Sequence, residues 1–282
     1  MLCKTNYHTH STWCDGKASL ESMVLAAIKN GLQILGFSSH TMYPFGSNWH
    51  LQPENTQAYC KEVHTLKEKY KDKIEILLGF EADYIPPVSF PTKKRYAQFN
   101  PDFLIGSVHY ISDENKKKCC FTIDGNCDEI KTGIQTCFNG NAKKAVQVYY
   151  ATQRDMIALS GFDIIGHLDV IRKRNDVLKF FDETDLWYKR EIKATAQALA
   201  KSNLIAEINT GGMARAGLKT PYPSAEFLKL LNHYDIPIMI NSDAHKPEGI
   251  NAQFKFAEQY AKDAGYKEVQ YLQNGTWKSA VL

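Results

Sequence analysis

Short apolar runs alternate along the chain with amphipathic stretches, and most of the runs end on a polar residue capable of chemistry. Leu20, Met23, Val24, Ala27 and Ile28 recur at helical spacing, and Gly31 is placed to stop that helix. The apolar run 32–37 follows and ends at Ser38-Ser39-His40. Pro53 is suited to open a helix running towards Tyr70. The run 74–80 then reads as a strand ending at Glu81, and 103–108 as one ending at His109. Residues 141–160 read as a helix, after which Asp163-Ile164-Ile165-Gly166 runs into His167. A helix over 183–202 precedes the run 204–208. Another near 224–233 precedes 236–240, which leads into Asn241-Ser242-Asp243-Ala244-His245.

Strands alternating with helices imply a parallel sheet with helices outside it. About seven such units favour a closed barrel over an open sheet. The polar residues point the same way, since barrel enzymes build their sites at the C-terminal ends of the strands. An open doubly wound sheet would gather them at one switch point, and no glycine-rich phosphate loop follows the first strand. The expected fold class is therefore α/β, a TIM-like (β/α)7 barrel forming one domain over 1–282. Residues 111–140 break the rhythm with little periodicity. They are expected to be a loop insertion, either a lid over the site or a tolerated surface excursion.

Composition narrows the function classes. Of 282 residues, 44% are hydrophobic and 23% charged, an ordinary globular balance, and the net charge of +3 is too weak to imply a nucleic-acid partner. Lys116-Lys117-Lys118 and Arg172-Lys173-Arg174 are short basic runs, read as solvated. No apolar run approaches the roughly 18 residues needed to span a membrane, so a membrane partner is not expected. The first residues lack a secretory pattern. The seven cysteines cannot all pair with one another, and free thiols fit a reducing cytoplasm, the expected location. Cys119, Cys120, Cys127 and Cys137 crowd the 111–140 segment without the paired spacing of a zinc site, and are read as loop thiols.

The candidate chemistry begins with His8-Thr9-His10. On an extended strand residues i and i+2 face the same side, so both imidazoles can reach one ion. Asp15 follows in a loop able to fold back over the same mouth. Asp243-Ala244-His245 repeats the same-side pairing at the last strand, and His40, Glu81, His109 and His167 each stand at a strand end. Together these are six histidines (His8, His10, His40, His109, His167, His245) and three carboxylates (Asp15, Glu81, Asp243). That set exceeds the needs of one ion and fits two or three divalent transition-metal ions, with zinc, iron or manganese favoured over magnesium or calcium. His50, His64 and His233 fall on loop or helix positions and are read as surface or packing residues.

These elements resemble the polymerase and histidinol phosphatase (PHP) family. The matching pieces are His8-Thr9-His10, Ser39-His40, Gly79-Phe80-Glu81, Gly106-Ser107-Val108-His109, Gly166-His167-Leu168-Asp169 and Ser242-Asp243-Ala244-His245, in the family's order. Within it, Cys14-Asp15-Gly16, Glu207-Ile208-Asn209-Thr210-Gly211-Gly212 and Pro221-Tyr222-Pro223-Ser224 are most similar to the stand-alone histidinol-phosphate phosphatases. The resemblance implies a distorted barrel of seven strands with a trinuclear site. It implies His8, His10, Glu81 and Asp243 on one ion, Glu81 bridging to a second ion with His109 and His167, and Asp15, His40 and His245 on a third.

The implied reaction is hydrolysis of a small phosphate ester, L-histidinol phosphate, with a hydroxide bridging two ions attacking phosphorus in line. Glu81, Asp243 and His245 are the expected catalytic residues, the last two near a proton for the basic leaving alkoxide. A phosphate dianion calls for a forked donor. Arg154 and Arg215 are the candidates, with Arg172 third, and the cationic end of the substrate would take an acidic or aromatic contact from 111–140. Three other readings remain open: a PHP-type phosphoesterase acting on nucleotides, nucleic acid or phosphotyrosine protein; a non-catalytic module; and a carbon–nitrogen hydrolase. The oligomeric state is not readable from the sequence.

Overall fold

A computed structural model describes residues 4–41, 47–112 and 120–282. In chain order the strands are β1 (Thr5–Asn6), β2 (Ile34–His40), β3 (Glu75–Asp83), β4 (Phe103–Ser107), β5 (Tyr110–Ser112), β6 (Cys120–Thr122), β7 (Ile164–Ile165), β8 (Ile205–Asn209), β9 (Ile238–Asn241), β10 (Glu268–Gln273) and β11 (Thr276–Val281). The helices are α1 (Leu20–Lys29), α2 (Thr56–Tyr70), α3 (Lys93–Tyr96), α4 (Cys127–Phe138), α5 (Ala142–Leu159), α6 (Asn175–Leu178), α7 (Leu186–Leu199), α8 (Gly211–Ala216), α9 (Ala225–His233) and α10 (Phe254–Asp263).

Seven strands form one sheet in the order β1-β2-β3-β4-β7-β8-β9, and every neighbouring pair is parallel. The two edges meet just beyond β1 and β9. Thr9 bridges Ala244 in parallel, His10 N donates to Ala244 O at 2.9 Å, and Ala244 N donates to His8 O at 3.1 Å. Asn6 fastens this seam from below. Its buried amide donates to Thr9 Oγ1, Ser242 Oγ and Ile250 O, while its Oδ1 accepts from Ser242 N. The edges are thereby joined at the rim, which is where the candidate ligands lie.

Strand alternation sorts the apolar residues into two layers. Tyr7, Ile34, Leu77, Phe103, Ile105, Ile164, Ile205, Met239 and Leu272 form an inner cluster, and a larger outer cluster packs strands against helices. Phe103 is a bulky member of the inner cluster, and it is accommodated by glycines. A Cβ on Gly79 would lie 2.3 Å, and one on Gly36 2.7 Å, from its ring. The β10–β11 hairpin reaches the inner cluster through Leu272, whose carbonyl accepts from the Tyr7 hydroxyl at 2.9 Å.

α1, α2, α5, α7 and α9 fall where periodicity places helices. In α1 the buried residues include Leu20, Met23, Val24 and Ala27, and Ser19 caps its N-terminus. The 111–140 segment departs from the expected irregular loop. It contains most of the antiparallel β5–β6 pair, together with α4, which opens with a capping box in which Asn126 and Glu129 satisfy each other's backbone N–H groups. Of its cysteines, Cys120 and Cys127 are free thiols, whereas Cys137 is disulfide-bonded and does not fit the loop-thiol reading. Cys119 and Lys116-Lys117-Lys118 lie outside the described residues. Among the described residues no helix is long and apolar enough to cross a membrane.

The glycine–phenylalanine packing gives a direct test. Gly79→Ala forces a methyl into the Phe103 ring, and overpacking of this kind costs about 1–3 kcal/mol. Urea denaturation of Gly79→Ala, Phe103→Leu and the double variant is expected to show a double-variant loss smaller than the sum of the two, because the clash is shared.

Candidate metal centre

The strand ends carry the site. His40 closes β2, Glu81 lies near the end of β3, and His109, His167 and Asp243 follow two residues after β4, β7 and β9. His8 and His10 flank Thr9 in the seam. Asp243 takes a left-handed conformation, φ +53°, which aspartate tolerates better than bulkier residues do. This bend leaves Asp243 Oδ1 3.2 Å from His10 Nε2 and 3.7 Å from His8 Nε2.

Four donors held 2.0–2.2 Å from one tetrahedral ion lie roughly 3.3–3.6 Å apart. Separations among His8 Nε2, His10 Nε2, Glu81 Oε2 and Asp243 Oδ1 bracket this spacing: 3.0 Å from His8 to Glu81, 3.5 Å from His10 to Glu81, and the two Asp243 separations above. A second group shares Glu81. Its Oε1 is 3.0 Å from His167 Nε2 and 3.5 Å from His109 Nε2, and the two imidazole nitrogens are 3.1 Å apart. The third gathers Asp15, His40, His245 and His10, with Asp15 3.0 Å from His245 Nε2 and 3.8 Å from His40 Nε2. His40 also turns Nδ1 to within 3.0 Å of Glu81 Oε2, linking the first and third groups. His8 Nε2, His10 Nε2, His40 Nδ1, Glu81 Oε2 and Asp15 Oδ1 are buried with no hydrogen-bond partner despite these approaches. Buried polar atoms that converge without hydrogen-bond geometry are what metal ligation requires, so the residues present fit a cluster of ions.

The electrostatics agree. Burial alone would keep His8 neutral, yet Glu207, Glu81 and Asp243 outweigh it and raise its pKa well above the usual imidazole value. Burial is likewise overcome at His40 by Glu81 and at His109 by Asp83 and Glu81, and both rise to about 9. His10 moves the other way, to about 3, through burial and the neighbouring His245 and His40. Burial works against ionising Glu81, but the surrounding His8, His40 and His109 hold it well below the carboxylate range. Asp243 is likewise held low, against burial, by Arg215 and His8. The carboxylates thus attract cations strongly, and in the metal-free protein protons take that role.

Above these groups lies a cavity of about 320 Å³, lined on one side by Asp15, His40 and His245 and on the other by Thr122, Asp124 and Glu129. Arg215, on α8, reaches it: Nη2 donates to Asp243 Oδ2 at 2.6 Å, and Nη1 lies 3.1 Å from His245 Nε2. Arg154 does not. It sits on α5, where Nη1 binds Glu191 on α7 at 2.9 Å, so the outer helix layer claims its charge and the expectation of a substrate contact is corrected. Arg172 is also diverted, to Glu183 at 2.7 Å and Asp169 at 3.5 Å. The Arg172-Lys173-Arg174 run is not simply solvated. Lys173 lines the cavity and pairs with Asp124 at 2.8 Å, and Arg174 donates to Gly125 O.

Sequence reasoning overlooked several residues here. His50, read as surface or packing, is buried, its ring 3.6 Å from that of Trp49, and Trp49 lines the cavity edge-on to His40 and His109. His64 and His233 are exposed, as read. Asp83 stands two residues after Glu81, and its Oδ1 accepts from His109 N and faces His109 Nδ1, both at 2.9 Å. Glu207 lies behind His8, with Oε1 2.7 Å from Nδ1. Strand alternation could have flagged Asp83, and a carboxylate inside the run Ile205-Ala206-Glu207-Ile208 could have flagged Glu207.

In the metal-free protein the raised pKa values of His40 and His109 stabilise the fold fully below their unfolded value of about 6.5. That contribution is lost as pH rises through about 9. The melting temperature of chelator-treated protein is therefore expected to fall between pH 6.5 and 9.5. Metal-loaded protein, whose ligating histidines are neutral, is expected to escape that fall and to release protons on taking up metal. Thermal denaturation at several pH values, with and without chelator, checks this; a metal-free melting temperature that rises with pH contradicts it.

Comparison with known proteins places this geometry. The chain is 28% identical to a Schizosaccharomyces pombe protein named probable histidinol-phosphatase, over 95% of this chain and 89% of that one. A solved Listeria monocytogenes chain superposes with a TM-score of 0.78 at 20% identity, covering 90% of this chain and 99% of that one. The Lactococcus lactis histidinol phosphate phosphatase, solved with zinc, L-histidinol and phosphate, gives a TM-score of 0.71 at 22% identity over 99% of this chain and 100% of its own. These likenesses support the barrel, and the family model described as PHP domain matches residues 6–211: the chain belongs to the PHP domain family.

Proposed function

We propose that this chain is a metal-dependent phosphomonoesterase that hydrolyses L-histidinol phosphate to L-histidinol and phosphate, a step of histidine biosynthesis in the cytoplasm. The observation that carries the reading is Glu81, a fully buried carboxylate shared by two ligand groups beneath a cavity that Arg215 lines. The relatives' names supply the substrate. The proposed cofactor is two or three divalent transition-metal ions, zinc, iron or manganese, held by His8, His10, Asp15, His40, Glu81, His109, His167, Asp243 and His245. When bound, such ions neutralise phosphoryl charge and make water acidic enough to attack at neutral pH.

The chain's own residues do the rest. Arg215 presents a planar, permanently charged donor to the phosphate. Asp243, kept ionised by Arg215 and His8, holds Arg215 over the cavity through Oδ2 at 2.6 Å and offers an acceptor that would orient an attacking water. His245, its Nδ1 on Asp243 O at 3.0 Å, lines the cavity with Asp15, where water made acidic by a bound ion would supply the proton that the leaving oxygen needs. Asp124 and Glu129, with Trp49 beside them, offer acidic and aromatic contacts to the cationic end of the substrate. Lys173, paired with Asp124, completes that wall. All of 1–282 is proposed to act as one domain, with 120–138 closing one side of the site.

Phosphate release is to be measured from L-histidinol phosphate beside p-nitrophenyl phosphate and a dinucleotide, with metal content on the same sample. A strong preference for histidinol phosphate is expected. Cleavage of the dinucleotide instead would move the chain to a nucleic-acid role. Glu81→Ala is expected to lose bound metal and turnover together, and retained full turnover would sink the shared-carboxylate site. Arg215→Ala is expected to lower kcat/KM by about 10²–10³-fold, whereas Arg154→Ala leaves kcat/KM within about threefold of wild type.

A further inference from the structure

Glu207 lies on β8 beneath the centre, fully buried. Its Oε1 is 2.7 Å from His8 Nδ1 and accepts from Asn241 Nδ2 at 3.0 Å. Its Oε2 accepts from His167 N and from Asn209 Nδ2, both at 2.9 Å. Neither amide is free to turn over. Asn241 Oδ1 accepts from Tyr7 N at 2.8 Å, and Asn209 Oδ1 accepts from Gly211 N at 2.9 Å, which leaves each Nδ2 to donate to Glu207. The backbone N–H of His167 can only donate. Three donors are thus fixed independently of His8, and the carboxylate they surround acts purely as an acceptor. His8 Nδ1 therefore carries a proton towards Glu207, and in the neutral form that a ligand must take the lone pair falls on Nε2, which faces Glu81 and Asp243. Among the described residues His10 has no comparable partner, its Nδ1 meeting the weakly bonding Cys14 Sγ at 3.5 Å and Asp15 at 3.8 Å.

We infer that Glu207 is a positioning residue of the metal centre. It fixes His8 in the tautomer that ligates through Nε2, and it ties the backbone of His167, from the neighbouring ligand group, to the same carboxylate. One side chain from β8 thereby sets the register between two groups whose ligands come from different strands. Outer partners of this kind typically govern metal affinity by 10–100-fold. The inference rests on the reading of His8 and His167 as metal ligands.

The test uses the full chain and zinc alone, with affinity read by competition against a chromophoric chelator. Glu207→Gln keeps the side-chain size but sets an amide donor among donors. It is expected to weaken zinc binding about 10–100-fold. In a His8→Ala background most of that loss is expected to vanish, because the partner it acts through is gone. An equal loss in both backgrounds marks a merely structural role and overturns the inference. Should Glu207→Gln fail to fold, the wild type decides. Long-range ¹H–¹⁵N spectra of the zinc-loaded protein are expected to show His8 protonated at Nδ1 and ligated at Nε2, and the opposite tautomer overturns it. Wild type that binds no zinc would sink the metal reading and this inference together. Tight wild-type binding with an unaffected variant overturns the inference alone.

Discussion

Glu81, Asp83, Glu207 and Asp243 are buried within one barrel mouth, and the rest of the structure follows from the need to compensate them. An unpaired buried carboxylate costs several kcal/mol, and leaving one partner without the other is worse than having neither. Each of these groups is answered by an imidazole, a backbone N–H or an arginine from a different strand end. Glu81 on β3 meets His8, His40, His109 and His167, and Glu207 on β8 meets His8 and His167. Compensation across strands is possible only if those strands encircle the charges. A closed barrel meets this condition where a flat sheet would not.

Closure and chemistry are accordingly built from the same residues. The seam between β1 and β9 is made by the backbone of His8, Thr9, His10 and Ala244, so two ligands and the neighbour of a third are also what joins the edges. Asn6 holds the seam with side-chain hydrogen bonds to Ser242 and Thr9, in place of the apolar packing that fills the layer below. The mouth can be polar because the floor is not. Phe103, seated on Gly36 and Gly79, and the inner aliphatic residues supply the burial that the ligand layer does not.

Much of this was legible because strands and their end residues are local signals. An apolar run followed by histidine or a carboxylate locates a ligand without knowledge of its partners, and all nine expected positions meet in the mouth. What failed to read through is non-local. Arg154 and Arg215 look alike in sequence, and only the presence of Glu191 opposite one of them and Asp243 opposite the other separates their surroundings. His50 carries no strand signal, and the approach of Trp49, His40 and Tyr110 places it behind the cavity-lining Trp49. α4 is a different case. Its Asn126–Glu129 capping box was present in the sequence, but the cysteines and glycines around it masked a short helical period.

Strands and connections divide the cavity between them. The strand-end histidines and carboxylates are held by the ladder and by the buried hydrogen bonds of Glu207 and Asp83, so they have little freedom to vary without leaving a buried charge unanswered. The opposite wall of the cavity comes from 122–129 and from Lys173, held by the Lys173–Asp124 pair and by Arg174 on Gly125 O rather than by the barrel. Lys173 and Asp124 are partly exposed, so a side chain changed there disturbs less of the buried network. A charge network at the strand ends, with a wall latched across it from another segment, is therefore the arrangement that the energetics of burial favour here. A buried charge network tolerates few substitutions, and a half-exposed wall tolerates many.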